Sequence, residues 1–244
     1  MKFAAIADVH GNAVALEAVL ADISACGIAD IVNLGDHLSG PLEARRAADL
    51  LMAQDLVSIR GDQDRRLVEA GMAGASRRID HRQLDQKHLD WLAGQPPTLL
   101  YRDEVFLCHG SPQDDAAFWL DRVTQDGKIE PSPIEDVEAA AVGIAASLIL
   151  GAHTHIPRVV RLRDGRLAVN PGSVGCPGYD GVKPVYYKMQ AGTPDACYAI
   201  LERSSQAWSV TFRYVPYDHL PMAELARTNG MPVWAQALAT GWVE

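Results

Sequence analysis

The residues able to do chemistry in this chain stand where short apolar runs stop. Phe3–Ala7 is followed by Asp8-Val9-His10, Ile31–Leu34 by Gly35-Asp36-His37, and Leu56–Ile59 by Arg60-Gly61-Asp62-Gln63-Asp64. Val105–Cys108 is followed by His109-Gly110, and Ser147–Leu150 by Gly151-Ala152-His153-Thr154-His155. Taken singly, an Asp after a strand is a common turn former or helix cap. Taken together, seven groups converge if these strands lie side by side: Asp8, His10, Asp36, Asp62, His109, His153 and His155. Three carboxylates crowded together repel and need a cation between them. A mixed Asp and His set suits borderline divalent ions such as Mn, Fe, Zn or Ni. Seven ligands exceed one tetrahedral ion but suit two ions that share a carboxylate. Such a pair, about 3.5–4 Å apart, can hold a bridging hydroxide and clamp a phosphoryl group. Hydrolysis of a phosphate ester is the chemistry these residues point to. In an extended strand the i, i+2 pairs Asp8/His10 and His153/His155 project to one side, so each pair either grips one ion or is split between two.

The elements that must position these groups follow from apolar spacing. Phe3–Ala7, Ile31–Leu34 and Leu56–Ile59 read as buried strands. Between them, Asn12 caps a helix with Leu16, Val19, Leu20 and Ile23 on one face, stopped at Gly27. Pro41 suits the first turn of a second helix running to about Met52. Alternating strands and helices predict a parallel sheet with helical cover. The polar, Arg-rich stretch Asp64–Trp91 reads as helical in pieces. Leu99–Tyr101 and Val105–Cys108 form a hairpin, and a helix over Ile134–Ala146 precedes the strand Ser147–Leu150. Thereafter the pattern turns antiparallel. Asp164-Gly165 joins Arg158–Arg163 to Arg166–Val169 as a hairpin, Ala196–Leu201 reads as a strand, and Trp208–Tyr214 alternates apolar with polar residues. Two sheets face to face with helices outside accommodate both halves. One domain over 1–244 is predicted, with 216–244 an amphipathic helical extension packed on the outer layer.

Composition narrows the class. With 48% apolar and 22% charged residues over 244 positions, the chain can bury a large core, which excludes disorder and coiled coil. The net charge of −9 and the lack of a dense basic stretch disfavour nucleic acid as a partner; a nuclease fits the chemistry but not the charge. The four cysteines form no C-x-x-C motif, and Cys26 and Cys108 read as small core residues. Asp8 interrupts any signal-like apolar core, and the longest apolar run, Ala139–Ala152, is too short to cross a bilayer. A cytoplasmic setting is predicted, with no membrane contact; the oligomeric state is left open. His81, His88 and His219 lie in polar contexts and read as solvated, and the pairs Arg45–Arg46, Arg65–Arg66 and Arg77–Arg78 as helix faces.

In order and spacing, Asp8-Val9-His10, Gly35-Asp36, Gly61-Asp62-Gln63-Asp64, His109-Gly110 and Ala152-His153-Thr154-His155 resemble the calcineurin-like metallophosphoesterases. Asn170-Pro171-Gly172-Ser173-Val174-Gly175 is similar to a stretch of the family's small bacterial branch, which includes phosphodiesterases. The resemblance spans roughly residues 2–215. It implies a four-layer α/β/β/α sandwich of two mixed sheets and a pair of divalent ions, manganese foremost. One ion would be held by Asp8, His10, Asp36 and His155. The other would be held by Asp36, Asp62, His109 and His153, with Asp36 bridging. The implied activity is hydrolysis of a small phosphoester, a phosphodiester before a monoester, by a hydroxide between the two ions, with Asp36, Asp62 and Gln63 as catalytic residues.

Three positions depart from the family pattern. Asp62 replaces an Asn; the added negative charge makes the centre neutral where the family's is positive, which favours tighter ion binding and a weaker Lewis acid. Gln63 replaces a His that assists the leaving group. Gln can bind a phosphate oxygen but cannot donate a proton at neutral pH, a loss of roughly 10²–10⁴ in rate where such help was used. Ala152 replaces a Gly, which would be strained if that position needs positive φ. The first two departures motivate the alternative of a catalytically weak or silent scaffold that binds a protein partner. His37, beside Asp36, either reaches a substrate phosphate oxygen or is a solvated loop residue. Tyr179 either lines the entrance or sits on a surface loop, the second being favoured.

Overall fold

The computed structural model describes residues 1–72, 79–204 and 207–244. Its first half contains β1 (Lys2–Ile6), α1 (Ala13–Ala25), β2 (Ile31–Asn33), α2 (Ala44–Met52), β3 (Val57–Ser58), α3 (Asp62–Met72), α4 (Ile79–Gln83), α5 (Gln86–Ala93), β4 (Leu99–Tyr101) and β5 (Val105–Leu107). There follow β6 (Asp121–Val123), β7 (Ile129–Pro131), α6 (Ile134–Ala140), β8 (Leu148–Leu150), β9 (Arg158–Arg161) and β10 (Leu167–Asn170). The chain closes with β11 (Gly178–Gly181), β12 (Tyr187–Gln190), β13 (Ala196–Arg203), β14 (Trp208–Val215), α7 (Leu220–Thr228) and α8 (Pro232–Thr240).

Two five-stranded sheets form the middle of the molecule, in the orders β14-β13-β1-β2-β3 and β4-β5-β8-β10-β9. In the first, β1, β2 and the edge strand β3 run parallel and β13 and β14 add antiparallel; in the second, the central β5, β8 and β10 run parallel between antiparallel β4 and β9. The strand period of two divides β1 between two cores. Phe3 and Ala5 point to the other sheet, into a cluster with Leu34, Leu107, Leu150 and Val169. Ala4 and Ile6 point outward, into a cluster with Leu16, Val19 and Ile23 of α1 and Ala47 and Leu51 of α2. On the far face, Ile149 and Ala168 pack with Val137 beneath α6. Strands buried on both faces read as unbroken apolar runs, which is why they are visible in the sequence. The result is an α/β/β/α sandwich.

The apolar runs that carry the site are thus divided, three in one sheet and two in the other, and their ends meet across the interface. Several local expectations shift. The second helix begins at Ala44 rather than at Pro41, and the helix expected over Ile134–Ala146 ends at Ala140. His88 is buried, not solvated: its Nδ1 accepts the Asp85 backbone N–H at 2.9 Å in a capping box that starts α5. Cys108 is buried as expected, whereas Cys26 is half-buried. Arg77 and Arg78 lie outside the described residues. The last two helices form their own cluster, in which Met222, Ala226, Ala235 and Leu238 pack with Leu42. Among the described residues no helix is long and apolar enough to cross a membrane.

Candidate metal centre

The loops after β1, β2, β5 and β8 and the N-terminus of α3 bring all seven sequence-predicted residues together. Asp36, Asp62, His109 and His153 form one group and Asp8, His10 and His155 another, each with its ligand atoms within 4.8 Å of one another. Asp36 reaches both, its Oδ2 standing 3.4 Å from His109 Nε2 and 3.7 Å from His10 Nε2. Within the groups, His155 Nε2 lies 3.4 Å from Asp8 Oδ1, His109 Nε2 3.5 Å from Asp62 Oδ1, and His153 Nδ1 3.3 Å from the same Asp62 oxygen.

These separations are longer than good hydrogen bonds. They match donors around one ion, since ligand atoms about 2.0–2.2 Å from a cation at tetrahedral to octahedral angles lie roughly 2.8–3.6 Å apart. The donors also lack other partners. Asp8 Oδ1 and Oδ2, Asp62 Oδ1 and His109 Nε2 are buried without a hydrogen bond, an arrangement that costs about 1–3 kcal/mol per group if nothing fills it. His10 Nε2 and His155 Nε2 face each other at 3.2 Å. The donor set and its spacing therefore fit divalent cations.

Three of the four imidazoles are aimed by their other nitrogen. His109 Nδ1 donates to Leu34 O at 2.7 Å, His155 Nδ1 to Cys176 O at 2.7 Å, and His10 Nδ1 to Ser39 O at 3.1 Å. A backbone acceptor fixes the tautomer of the neutral ring, which would then present an Nε2 lone pair to a cation. Burial pushes the His109 and His155 imidazoles toward the neutral form, but the carboxylates of Asp36 and Asp8 overcome it and hold both well above the usual range. Asp8 is held at about 2; burial opposes this, and His155 and its neighbours outweigh it. The cavity floor is a place where positive charge is strongly favoured.

The backbone is strained where it presents these groups. Asp8, His10, Asp36, His153 and His155 have φ of 54°, 50°, 55°, 69° and 61°. The only other non-glycine residues with positive φ among those described are Arg102 and Asp103, in the β4–β5 turn. Left-handed non-glycine residues cost of order 1–3 kcal/mol each and collect at functional sites. This corrects the expectation that Asp8/His10 and His153/His155 are extended pairs. The first pair serves one group, and the second is split between two. Ala152 is not among the residues with positive φ, so the loss of Gly there costs nothing of that kind.

Four supports hold the strained loops. Gly61 lets α3 approach the β2 loop, because a Cβ there would collide with Asp36 Oδ1. The Gln63 backbone N–H then donates to that oxygen at 3.0 Å. Asp64 accepts from the backbone N–H groups of Asp36, His37 and Gly61 at 2.8, 2.9 and 3.1 Å, and from His37 Nδ1 at 2.6 Å. In the Asn170–Gly175 stretch, Ser173 Oγ donates to Asp8 O at 2.9 Å and Asn170 Nδ2 to Ala152 O at 2.8 Å, bracing the loops after β1 and β8. Neither task is visible in the sequence, because several backbone donors converging on one acceptor leave no periodic signal.

His37 is corrected. It is fully buried, bound to Asp64 and packed against Trp91 at 5.1 Å, and does not line the cavity, so it is not placed to bind substrate. Tyr179 is corrected the other way: it lines the cavity, its OH donating to His153 O at 3.0 Å and its ring 4.7 Å from that of His155. Gln63 lines the cavity, its Nε2 donating to Asp62 Oδ2 at 2.8 Å. Arg66 stands 3.2 Å from the same oxygen, a countercharge for the extra carboxylate. The cavity encloses about 280 Å³ and is lined also by Ser39, Gly40, Asp180, Met231 and Trp234. The last two come from the end of the chain expected to pack on the outer layer.

A model of the calcineurin-like phosphoesterase superfamily domain matches residues 1–190. Among solved structures, the chain is similar to a metallophosphoesterase from Sphaerobacter thermophilus, with 26% identity over 99% of this chain and 100% of that one and a TM-score of 0.75. A hypothetical protein from Pyrococcus horikoshii OT3 shares the fold at 20% identity, over 100% of this chain and 99% of that one, with a TM-score of 0.71. A search of curated proteins finds no match.

Proposed function

Because the chain belongs to the calcineurin-like phosphoesterase superfamily, we propose that it hydrolyses phosphodiesters with two divalent cations held by Asp8, His10, Asp36, Asp62, His109, His153 and His155, Asp36 serving both. The observation that carries this is the set of buried donors without a hydrogen bond on Asp8, Asp62 and His109, with Asp62 Oδ1 3.5 Å from His109 and 3.3 Å from His153, and Asp8 Oδ1 3.4 Å from His155. Bound cations would supply Lewis acidity toward the phosphoryl oxygens and lower the pKa of a water enough for attack at neutral pH. Manganese, iron, zinc and nickel all suit this ligand set.

The chain's own groups shape the rest. The cavity lining includes Asp36 and Asp180 but no Lys or Arg among the described residues, and Arg66 is engaged by Asp62. A diester carries one negative charge where a monoester or polyphosphate carries two or more, so a cavity without cationic side chains favours the diester. The Gln63 amide can orient a phosphoryl oxygen but gives no proton to a leaving group. Esters whose leaving groups depart as stable anions are therefore the better substrates. The test is hydrolysis of bis-p-nitrophenyl phosphate against p-nitrophenyl phosphate with added Mn²⁺, alongside a chelated control and Asp36→Asn. The diester should be preferred and Asp36→Asn nearly inactive. Full ion-dependent activity in Asp36→Asn would show the centre to be wrongly assigned, and two bound ions without turnover on a broad ester panel would favour the scaffold.

A further inference from the structure

The cavity has a second face that the hydrolytic chemistry does not use. Beside Gln63 and the histidines, the lining includes Tyr179, Met231 and Trp234. The Trp234 ring lies 5.5 Å from that of His10, edge to face, and Tyr179 sits in the same way on His155. His10 and His155 are neighbours at 5.0 Å, so the two aromatic rings flank one ion group. Room for Trp234 is made on purpose at Gly40, which has φ of 130° and where a Cβ would come within 3.0 Å of Trp234 Cη2. Met231 is 40% exposed and adds a polarisable thioether at the rim. Trp234 belongs to α8, outside the stretch of the family match. A half-buried indole, given space by a glycine and aimed at a polar centre, is a costly way to cover histidines and a good way to seat a flat group.

We infer that Trp234, with Tyr179 and Met231, forms a stacking subsite that makes the enzyme selective for phosphodiesters carrying an aromatic ring next to the phosphoryl group. This rests on the hydrolytic reading for the location of the phosphoryl group. At about 280 Å³ the cavity lies at the lower bound of small-molecule pockets, so it takes one ring and its phosphoryl group rather than a length of polymer. The ring is either a simple aryl group or a nucleobase; both present the π-face that the wall recognises. Stacking of a ring on an aromatic side chain contributes about 1–3 kcal/mol, and about 1.4 kcal/mol corresponds to tenfold in affinity.

The experiment compares competitive inhibitors that are not turned over, in the ion-loaded protein. Phenylphosphonate against methylphosphonate isolates an aryl ring, and AMP against ribose 5-phosphate isolates a nucleobase. The wild-type protein should bind at least one ring-bearing member about tenfold more tightly than its ringless partner. Trp234→Leu should abolish that ratio while leaving the ringless member unchanged, and Trp234→Phe should keep most of it. Quenching of tryptophan fluorescence by p-nitrophenylphosphonate, lost in Trp234→Phe, reports the same contact without turnover. Equal affinity for ringed and ringless members of both pairs, or a ratio that survives Trp234→Leu, overturns the inference. If methylphosphonate fails to bind while the quenching persists, the hydrolytic reading fails and the subsite stands.

Discussion

Asp64 carries no proposed ion, yet replacing it should weaken the centre. Its buried carboxylate accepts four hydrogen bonds, three at Oδ2 and one at Oδ1. In Asp64→Asn the amide oxygen can take the Oδ2 position and keep the bonds from Asp36, Gly61 and His37 Nδ1. The amide nitrogen then faces the His37 backbone N–H, donor against donor. One orphaned buried N–H costs about 1–3 kcal/mol, and the three retained bonds lose their charge assistance, each falling from about 1.5–3 to about 1 kcal/mol. A total of about 2.5–9 kcal/mol follows, which for a chain of this size lowers Tm by at least about 5 °C. Since Asp36 hangs on this acceptor, ion affinity should fall about 10–100-fold, as when an orienting partner is removed. Urea unfolding and ion titration by calorimetry measure both. The pH dependence adds a signature. Burial opposes ionisation of Asp64, but His37 and the N–H donors hold its carboxyl below the usual range. A depressed carboxylate contributes stability above its unfolded pKa of about 3.9, and that contribution is lost as pH falls through the folded value. The gap between wild type and variant should therefore be full at pH 7 and close below about pH 4. A variant within about 0.5 kcal/mol of wild type at pH 7, with unchanged ion affinity, would refute the bracing role of Asp64.

Gln63→His restores a proton donor at a residue lining the cavity. Turnover of alkyl diesters should rise by about 10² or more while p-nitrophenyl esters barely change, and an equal effect on both would show that leaving-group protonation is not what Gln63 lacks. Burial pushes the Cys108 and Cys197 thiols up to about 12, and Cys176 is buried. At pH 8 a disulfide reagent should therefore titrate about one thiol in the native protein, Cys26, and all four after denaturation; fast reaction at a second thiol would mean that the packing around β5 or β13 is looser than the structure shows.

The strand ends were legible in the sequence because β1, β2, β5 and β8 are buried on both faces, so a polar residue after the apolar run marks where the strand leaves the core. Chain order alone did not show that three of these runs lie in one sheet and two in the other. That follows from β13, which pairs with β1 from almost 200 residues away, Phe3 opposite Leu201. Long-range pairing of this kind has no local signature. Local polarity misled at His37 and His88, where charged neighbours suggest solvent but the rings are buried and hydrogen-bonded. The role of Trp234 was hidden for a related reason. An amphipathic helix shows which face is apolar, not whether that face meets the outer layer or a cavity.

The least legible feature, the left-handed backbone at five of the seven site residues, also explains why the fold is built as it is. An Asp or His can adopt positive φ, but at a cost, and five such residues beside unpartnered carboxylates amount to a region that would relax if left to itself. What prevents relaxation lies outside the ligands: Gly61 pressed on Asp36, Asp64 gathering four donors, and the Asn170–Gly175 stretch holding the loops after β1 and β8. Each support is anchored to a strand or helix whose apolar faces are already committed to a core. The geometry of the proposed ligands is thus braced by the two cores and the supports between them. An ion entering the proposed site would meet donors already aimed, and little of its binding energy would be spent on ordering the chain.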